Sequence, residues 1–487
     1  MSRLSAAVAL ELRVELRYRI PLVALAMTVV WCLVLLAMPT WLARGAGPFV
    51  LIVDTATFGA FFIAALFLFE RGEGALAALS VSPLRFRAYL GVRVAVLTGL
   101  SVASAVPIAL VAGRGQVNLG LIVVAVALLS ALFLLLNFAL VVRHRSLTGF
   151  LTVAPLPLAP LIAVPLAHLA GLVEHPWCYV VPTTGAAALI RTAMDSTAGV
   201  SPAGIVAAIA YLLVAVVAAG LAAKWSYIRE FTQPGRAHVR RDRRVRVLRH
   251  PRGWVSALAQ IDARTTARSS LLLVVLAGPM LLAVAIRLGY PPMTRYLYDE
   301  LGLDLARYQP ILLAALVVLH VPLIIGMVGA LLFLDDVDDR KLLVLRVSPV
   351  TLPRYMVFRS VSVAVLALMM LLLTVPISGL AAWRPSMLPA LVLAAAQAPL
   401  ITLATAAFAG NKVEGVAVLK ILGVIPTGIA PAMWWLPSPA DWPLMLIPPY
   451  WAVDVLWRPN IVGMLIGTLL TVLVTALLAR RTLNRLG

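Results

Sequence analysis

Apolar runs of about 20 residues recur from one end of this chain to the other, and they limit its fold more than any other feature. They lie at about 21–38, 48–69, 88–112, 119–142, 147–170 and 201–223. They return at about 271–288, 310–334, 354–378, 388–409, 416–435 and 460–479. A run of about 20 apolar residues spans the hydrocarbon core of a bilayer as a helix. The expected fold is an all-α polytopic membrane protein with about 12 transmembrane helices. Composition agrees, because only 12% of the 487 residues are charged. A soluble domain carries roughly 25%.

The chain also repeats itself. Leu66 to Arg93 reads LFLFERGEGALAALSVSPLRFRAYLGVR, and Leu332 to Arg359 reads LFLDDVDDRKLLVLRVSPVTLPRYMVFR. Slid by 266 positions without a gap, they agree at ten of 28 places, among them Ser82/Ser348, Pro83/Pro349, Tyr89/Tyr355 and Arg93/Arg359. A charged stretch between two apolar runs is not expected to match this well through composition alone. The expectation is two parallel six-helix repeats, 1–223 and 253–487, joined by a basic cytoplasmic linker at 224–252.

The net charge of +20 could suggest nucleic acid, but its distribution argues otherwise. In this topology 32 of the 40 Lys and Arg fall on one side of the membrane and eight on the other. Such an asymmetry in basic residues marks the crowded side as cytoplasmic, with both termini there. No nucleic-acid partner is expected, and the bilayer is the main environment. The charged first 20 residues do not read as a cleavable signal. Six His and two Cys offer neither a metal cluster nor a disulfide framework, so no metal is expected.

Residues 3–19 alternate apolar and charged residues, which suits a strand template. Their counterpart around Asp262, Arg264 and Arg268 does not alternate, so both are read as interfacial helices on the inner leaflet. A short outer loop is expected at Pro39 to Gly47, and its counterpart in the second half, 289–309, is expected to be longer. Pro155, Pro157, Pro160 and Pro165 predict a kink or break in the fifth span. The Arg-rich linker reads as a tether to anionic lipid, at about 1 kcal/mol per basic residue near the surface.

Within the repeated segment the acids recur as pairs, Glu70 with Glu73 and Asp336 with Asp339. A spacing of three places each pair on one helical face. Leu76 and Leu79, and likewise Leu342 and Leu345, continue a short helix that Pro83 and Pro349 stop. Two copies in one register suggest a docking surface for a symmetric partner. No G-x-x-x-x-G-K-[ST] occurs, so the chain is not expected to cradle nucleotide phosphates itself. It lacks a metalloprotease His pair, a G-x-S-x-G elbow and Cys-x-x-Cys, and no catalytic residues or enzymatic activity are expected.

The string ERGEGALAALSVSPLRFRAYLGVR resembles the loop between the second and third membrane helices of type-2 ABC exporter permeases. Asn411-Lys412-Val413-Glu414-Gly415, running on to Lys420 and Pro426, resembles the start of their fifth helix. The branch it resembles is the bacterial fluoroquinolone-type drug-export permeases. The resemblance implies that 3–19 is a connecting helix and that the segments near Pro182 and Pro448 are re-entrant extracellular helices. It implies that Glu70 to Pro83 and Asp336 to Pro349 are coupling helices seated on two cytoplasmic ATPase subunits. ATP and Mg would then belong to those partners, with no cofactor on this chain. Most members carry one six-helix unit and dimerise. This chain fuses two, so one copy should suffice per transporter in the plasma membrane. The substrate expected is a hydrophobic or amphipathic small molecule or a lipid-like one, moved outward.

Ionisable residues within the spans are costly and mark candidate sites, at about 2.5 kcal/mol or more each. Asp54 and His320 are symmetry mates at the 266 offset and are candidates to pair across the axis. Against that, Asp54 sits only a turn or two from the outer end of its expected span, within reach of water. Lys420 is expected to snorkel to the inner face. Two rival readings remain at this stage. A secondary transporter with two six-helix bundles would need a Gly-x-x-x-Asp-Arg-x-Gly-type loop, which Asp338-Asp339-Arg340 matches poorly. An intramembrane lipid enzyme would need polar residues clustered at one depth, and only scattered ones occur.

Overall fold

A computed structural model describes residues 3–75, 86–144, 146–173, 175–195, 200–232, 271–302, 304–338 and 350–486. Every regular element among them is helical. The first half comprises α1 (Arg3–Arg17), α2 (Ile20–Ala37), α3 (Thr40–Gly72), α4 (Phe86–Ala112), α5 (Leu119–Val141), α6 (Leu147–Val153), α7 (Pro155–Leu169), α8 (Pro182–Met194) and α9 (Pro202–Thr232). The second comprises α10 (Leu271–Leu301), α11 (Gln309–Leu313), α12 (His320–Asp338), α13 (Leu352–Ser378), α14 (Leu388–Ala395), α15 (Gln397–Phe408), α16 (Lys412–Trp435), α17 (Pro448–Trp457) and α18 (Ile461–Leu486). Ten described helices or helical runs are long and apolar enough to cross a membrane.

The 266 offset survives in three dimensions. Helices α4 and α13 begin and end at corresponding residues, and so do the inner ends of α3 and α12. Two 3-10 turns, Pro176–Val180 and Trp442–Leu446, lead into α8 and α17. Helix α8 packs among α5, α7 and α9, and α17 packs among α14, α16 and α18. These are the two outer segments expected near Pro182 and Pro448. Each starts on a proline, which loses no hydrogen bond at a helix N-terminus.

The expected fifth span is divided at Ala154, between α6 and α7. Pro155 has no N–H to donate, so the helical hydrogen-bond ladder is interrupted there. The matching helix α16 runs unbroken for 24 residues. The outer loop expected at Pro39 to Gly47 is instead the start of α3, which is helical from Thr40. The loop expected at 289–309 is also largely helical, because α10 continues to Leu301 and a 3-10 turn covers Leu305–Tyr308. At 31 residues, α10 extends for about 46 Å, longer than a hydrocarbon core of about 30 Å. Its polar last turns can therefore remain helical beyond the lipid. Helix α9 runs to Thr232, into the first residues of the expected linker. The rest of that linker and the stretch around Asp262 lie outside the described residues.

Helix α1 settles the ambiguous pattern of residues 3–19. Leu10 and Leu16 are 64% and 65% exposed, whereas Glu11 and Glu15 are buried. A water-facing helix would reverse this arrangement. It suits a helix on a membrane surface, with leucines toward lipid and acids toward protein.

The halves meet through α16, which packs on α2 and α3, and through α6, which touches α10 and α12. Leu331, Val416 and Leu419 of the second half are buried within the first half's core.

Candidate functional site

Two charged constellations stand out, one where α1, α3 and α4 converge and one buried between α3 and α16. The first is built on Arg93, whose side chain is 1% exposed. Tyr89 and Arg93 lie four residues apart on α4 and so share a face. Glu70 comes from the last turn of α3 and Glu11 from α1. The Arg93 Nε donates to Glu11 Oε1 at 2.7 Å, and Nη2 donates to Glu11 Oε2 at 3.2 Å. Nη1 donates to Glu70 Oε2 at 2.9 Å, and Nη2 to Glu70 Oε1. The Tyr89 hydroxyl donates to Glu70 Oε2. The guanidinium also lies 4.8 Å from the centroid of the Tyr89 ring. Bidentate pairing of this kind is the strong form of an arginine–carboxylate contact. One cation thus binds three helices together.

The second half repeats the knot with a shorter acid. The Tyr355 hydroxyl donates to Asp336 Oδ2 at 2.6 Å, and Arg359 Nη2 donates to the same oxygen at 3.2 Å. Aspartate is one methylene shorter than glutamate. Here its described contact with the guanidinium is a single bond.

Glu15 lies one helical turn beyond Glu11 on α1. Its carboxyl is pushed up to about 8 by burial first and then by the negative charge of Glu11, while Arg93 acts in the opposite direction.

Other contacts fasten the same inner ends. Arg71 forms a 3.0 Å ion pair with Glu230 of α9 and donates to the Val142 and His144 carbonyls. Lys412 forms a 2.8 Å pair with Asp335. Asn411 caps α16 by accepting from the Val413 and Glu414 amides, while Glu414 reaches back to the Gly410 amide. This reciprocal arrangement is a variant of the capping box, and it explains the Asn-x-x-Glu spacing.

The residues expected to dock a partner therefore separate. Glu70 and Asp336 are engaged within the chain, whereas Glu73 is exposed at the end of α3. Leu76, Leu79, Pro83, Asp339, Leu342, Leu345 and Pro349 lie outside the described residues. Arg93, Tyr89, Arg359 and Tyr355 were not singled out as site residues from the sequence. They were visible there as two of the ten identities in the repeat, Tyr89/Tyr355 and Arg93/Arg359.

The second constellation overturns two expectations. Lys420 does not reach the inner face, because it is buried and its Nζ lies 3.3 Å from Asp54 Oδ1. Asp54 therefore takes Lys420 as its described ionic partner, not its symmetry mate His320. Asp54 lies 14 residues into α3 from Thr40, about 21 Å along the helix. The pair joins α3 of the first half to α16 of the second. Beside it is a cavity of about 20 Å³ lined by Leu151, Met327, Leu331, Val416, Leu419 and Lys420. The Nδ1 atom of His320 is buried without a hydrogen-bond partner.

Both halves are similar to known proteins. Residues 2–233 match the model of the fluoroquinolones export permease protein family, and residues 262–483 match that of the fluoroquinolones export permease protein Rv2686c-like family. Fluoroquinolones export permease protein MT2761 of Mycobacterium tuberculosis (strain CDC 1551 / Oshkosh) is 34% identical over 195 residues, covering 40% of this chain and 82% of that protein. Fluoroquinolones export permease protein Rv2686c of Mycobacterium tuberculosis (strain ATCC 25618 / H37Rv) is 30% identical over 205 residues, covering 42% of this chain and 81% of that protein. No solved structure matches the chain.

Proposed function

We propose, from the premise that this chain belongs to the fluoroquinolones export permease family, that it is the transmembrane subunit of an ATP-driven drug exporter, with both permease units fused in one chain. Two cytoplasmic ABC ATPase subunits dock on the repeated segments after α3 and α12 and supply ATP and Mg. The substrate is an amphipathic small molecule, fluoroquinolones among the candidates, and it moves out across the plasma membrane. Both termini face the cytoplasm, and one copy serves each transporter.

The observation that carries this reading is the duplicated acid–Tyr–Arg knot. Each copy lies within a repeated segment, its acid and its Tyr–Arg pair on either side of the stretch where a docked subunit would push. In the first half Arg93 joins α1, α3 and α4. A force on the segment after Gly72 then moves those helices together instead of fraying one end. Rocking of packed bundles is an ordinary way for such a displacement to open one side of a membrane protein.

The test is co-purification of the full chain with an ABC ATPase from its native membrane, followed by the charge reversals Glu73→Arg and Asp339→Arg. The expected result is two ATPase subunits per chain in the wild type and loss of at least one in each variant. A wild-type chain that transports drug without an ATPase overturns the reading, and so does full ATPase retention in both variants.

A further inference from the structure

We propose that Asp54 and Lys420 form the polar seat of the transport path, and that it receives one zwitterionic molecule per transporter, carrying a carboxylate and an ammonium group. The inference rests on the drug-export reading and names the substrate chemistry of that path.

The pair sits where the two halves meet, and each half contributes one charge. Both side chains are almost entirely removed from solvent, at 11% exposure for Asp54 and 4% for Lys420. Buried ions at membrane depth persist when they neutralise each other. Transport between two rocking halves requires the α3–α16 contact to open at some stage. The adjoining cavity, at about 20 Å³, has room for about one water, whereas a drug-sized ligand needs roughly 300 Å³ or more. The structure is therefore closed at this point. Opening separates the charges and leaves each in need of a counterion. A zwitterion satisfies both, with its carboxylate on Lys420 and its ammonium on Asp54. A molecule with a single charge can meet only one of the two.

The symmetry of the chain makes the seat single. At the 266 offset, Asp54 corresponds to His320 and Lys420 to Ala154. The contact between residues 54 and 420 therefore maps onto positions 320 and 154, where the residues are histidine and alanine. Fusion allows one of the two equivalent places to carry opposite charges while the other does not. That asymmetry predicts one bound molecule in one orientation.

The test measures equilibrium binding to the purified full chain in nanodiscs. Three forms of one fluoroquinolone serve as probes: the parent zwitterion, its carboxyl methyl ester and its N-acetylated amine. The expected wild-type result is one zwitterion per chain, bound about tenfold or more tighter than either derivative. Lys420→Met should abolish the preference over the ester, and Asp54→Asn the preference over the N-acetyl form. Lys420→Arg keeps the charge and should keep both preferences, and it guards against a variant that merely fails to fold. Equal wild-type affinities for the three probes overturn the inference while leaving the export reading intact. So does an equal effect of Lys420→Met on all three probes, as a purely structural pair would give. No binding of any probe also overturns the inference, while the export reading stands or falls with the ATPase co-purification.

Discussion

The two acid–Tyr–Arg knots occupy matching places and close differently. In the first half a glutamate meets Arg93 through two bonds, and a second carboxylate from α1 joins it. In the second half an aspartate meets Arg359 through one described bond of 3.2 Å. Fusion of two units allows this divergence, since each half can change without altering the other. The first knot ties an interfacial helix to two spans. Because Arg93 gathers three helices, a force on the segment after α3 is expected to reach α1 and α4 together.

Removing Arg93 should break the comparison most severely. Arg93→Ala leaves Glu11 and Glu70 facing each other without their cation. Loss of one partner from a buried ion pair costs about 3–5 kcal/mol. Denaturant unfolding in mixed micelles would measure this, with co-purification of the ATPase scored in parallel. An effect below about 1 kcal/mol would mean that Arg93 does little to hold α1, α3 and α4 together.

Glu15 should make the first half sensitive to pH. Its folded carboxyl lies at about 8, against an ordinary 4.5. A raised acid pKa means that the folded state holds a proton which the unfolded state has released. The stabilisation is therefore complete below about 4.5 and is lost as pH rises toward 8. The expected loss across that window is roughly 2 kcal/mol or more. Glu15→Gln should flatten that part of the pH–stability profile. An unchanged slope in the variant would place the effect elsewhere.

The smallest change exchanges the two acids. Glu70→Asp should convert the first knot to single-bond reach and cost about 1 kcal/mol. Asp336→Glu should tighten the second by a similar amount. If both exchanges destabilise, backbone spacing and not acid length separates the two copies.

Much of the scaffold was legible in the sequence. Apolar runs marked the spans, and the prolines at 155–165 marked the break in the fifth. The repeat located Tyr89 and Arg93 as identities, although nothing local indicated that Glu70 would turn inward to meet them. Residues 3–19 defeated simple pattern reading, because alternation is a strand signal in water. Here lipid takes the leucines and the protein takes the acids. The expected outer loops proved largely helical because polarity suggests where a chain leaves the membrane, and a helix need not end there.

The sequence by itself determined that this is a membrane-spanning helical chain of two like halves, because both facts reside in local hydropathy and in self-similarity. Only tertiary structure decided which charges meet. A 266-residue offset relates each residue to its image, Asp54 to His320 and Lys420 to Ala154. It carries no information about what lies across the axis. Asp54 took Lys420 because α16 packs against α3, a contact made when two apolar surfaces fit together, and the buried carboxylate finds its counter-charge on that surface.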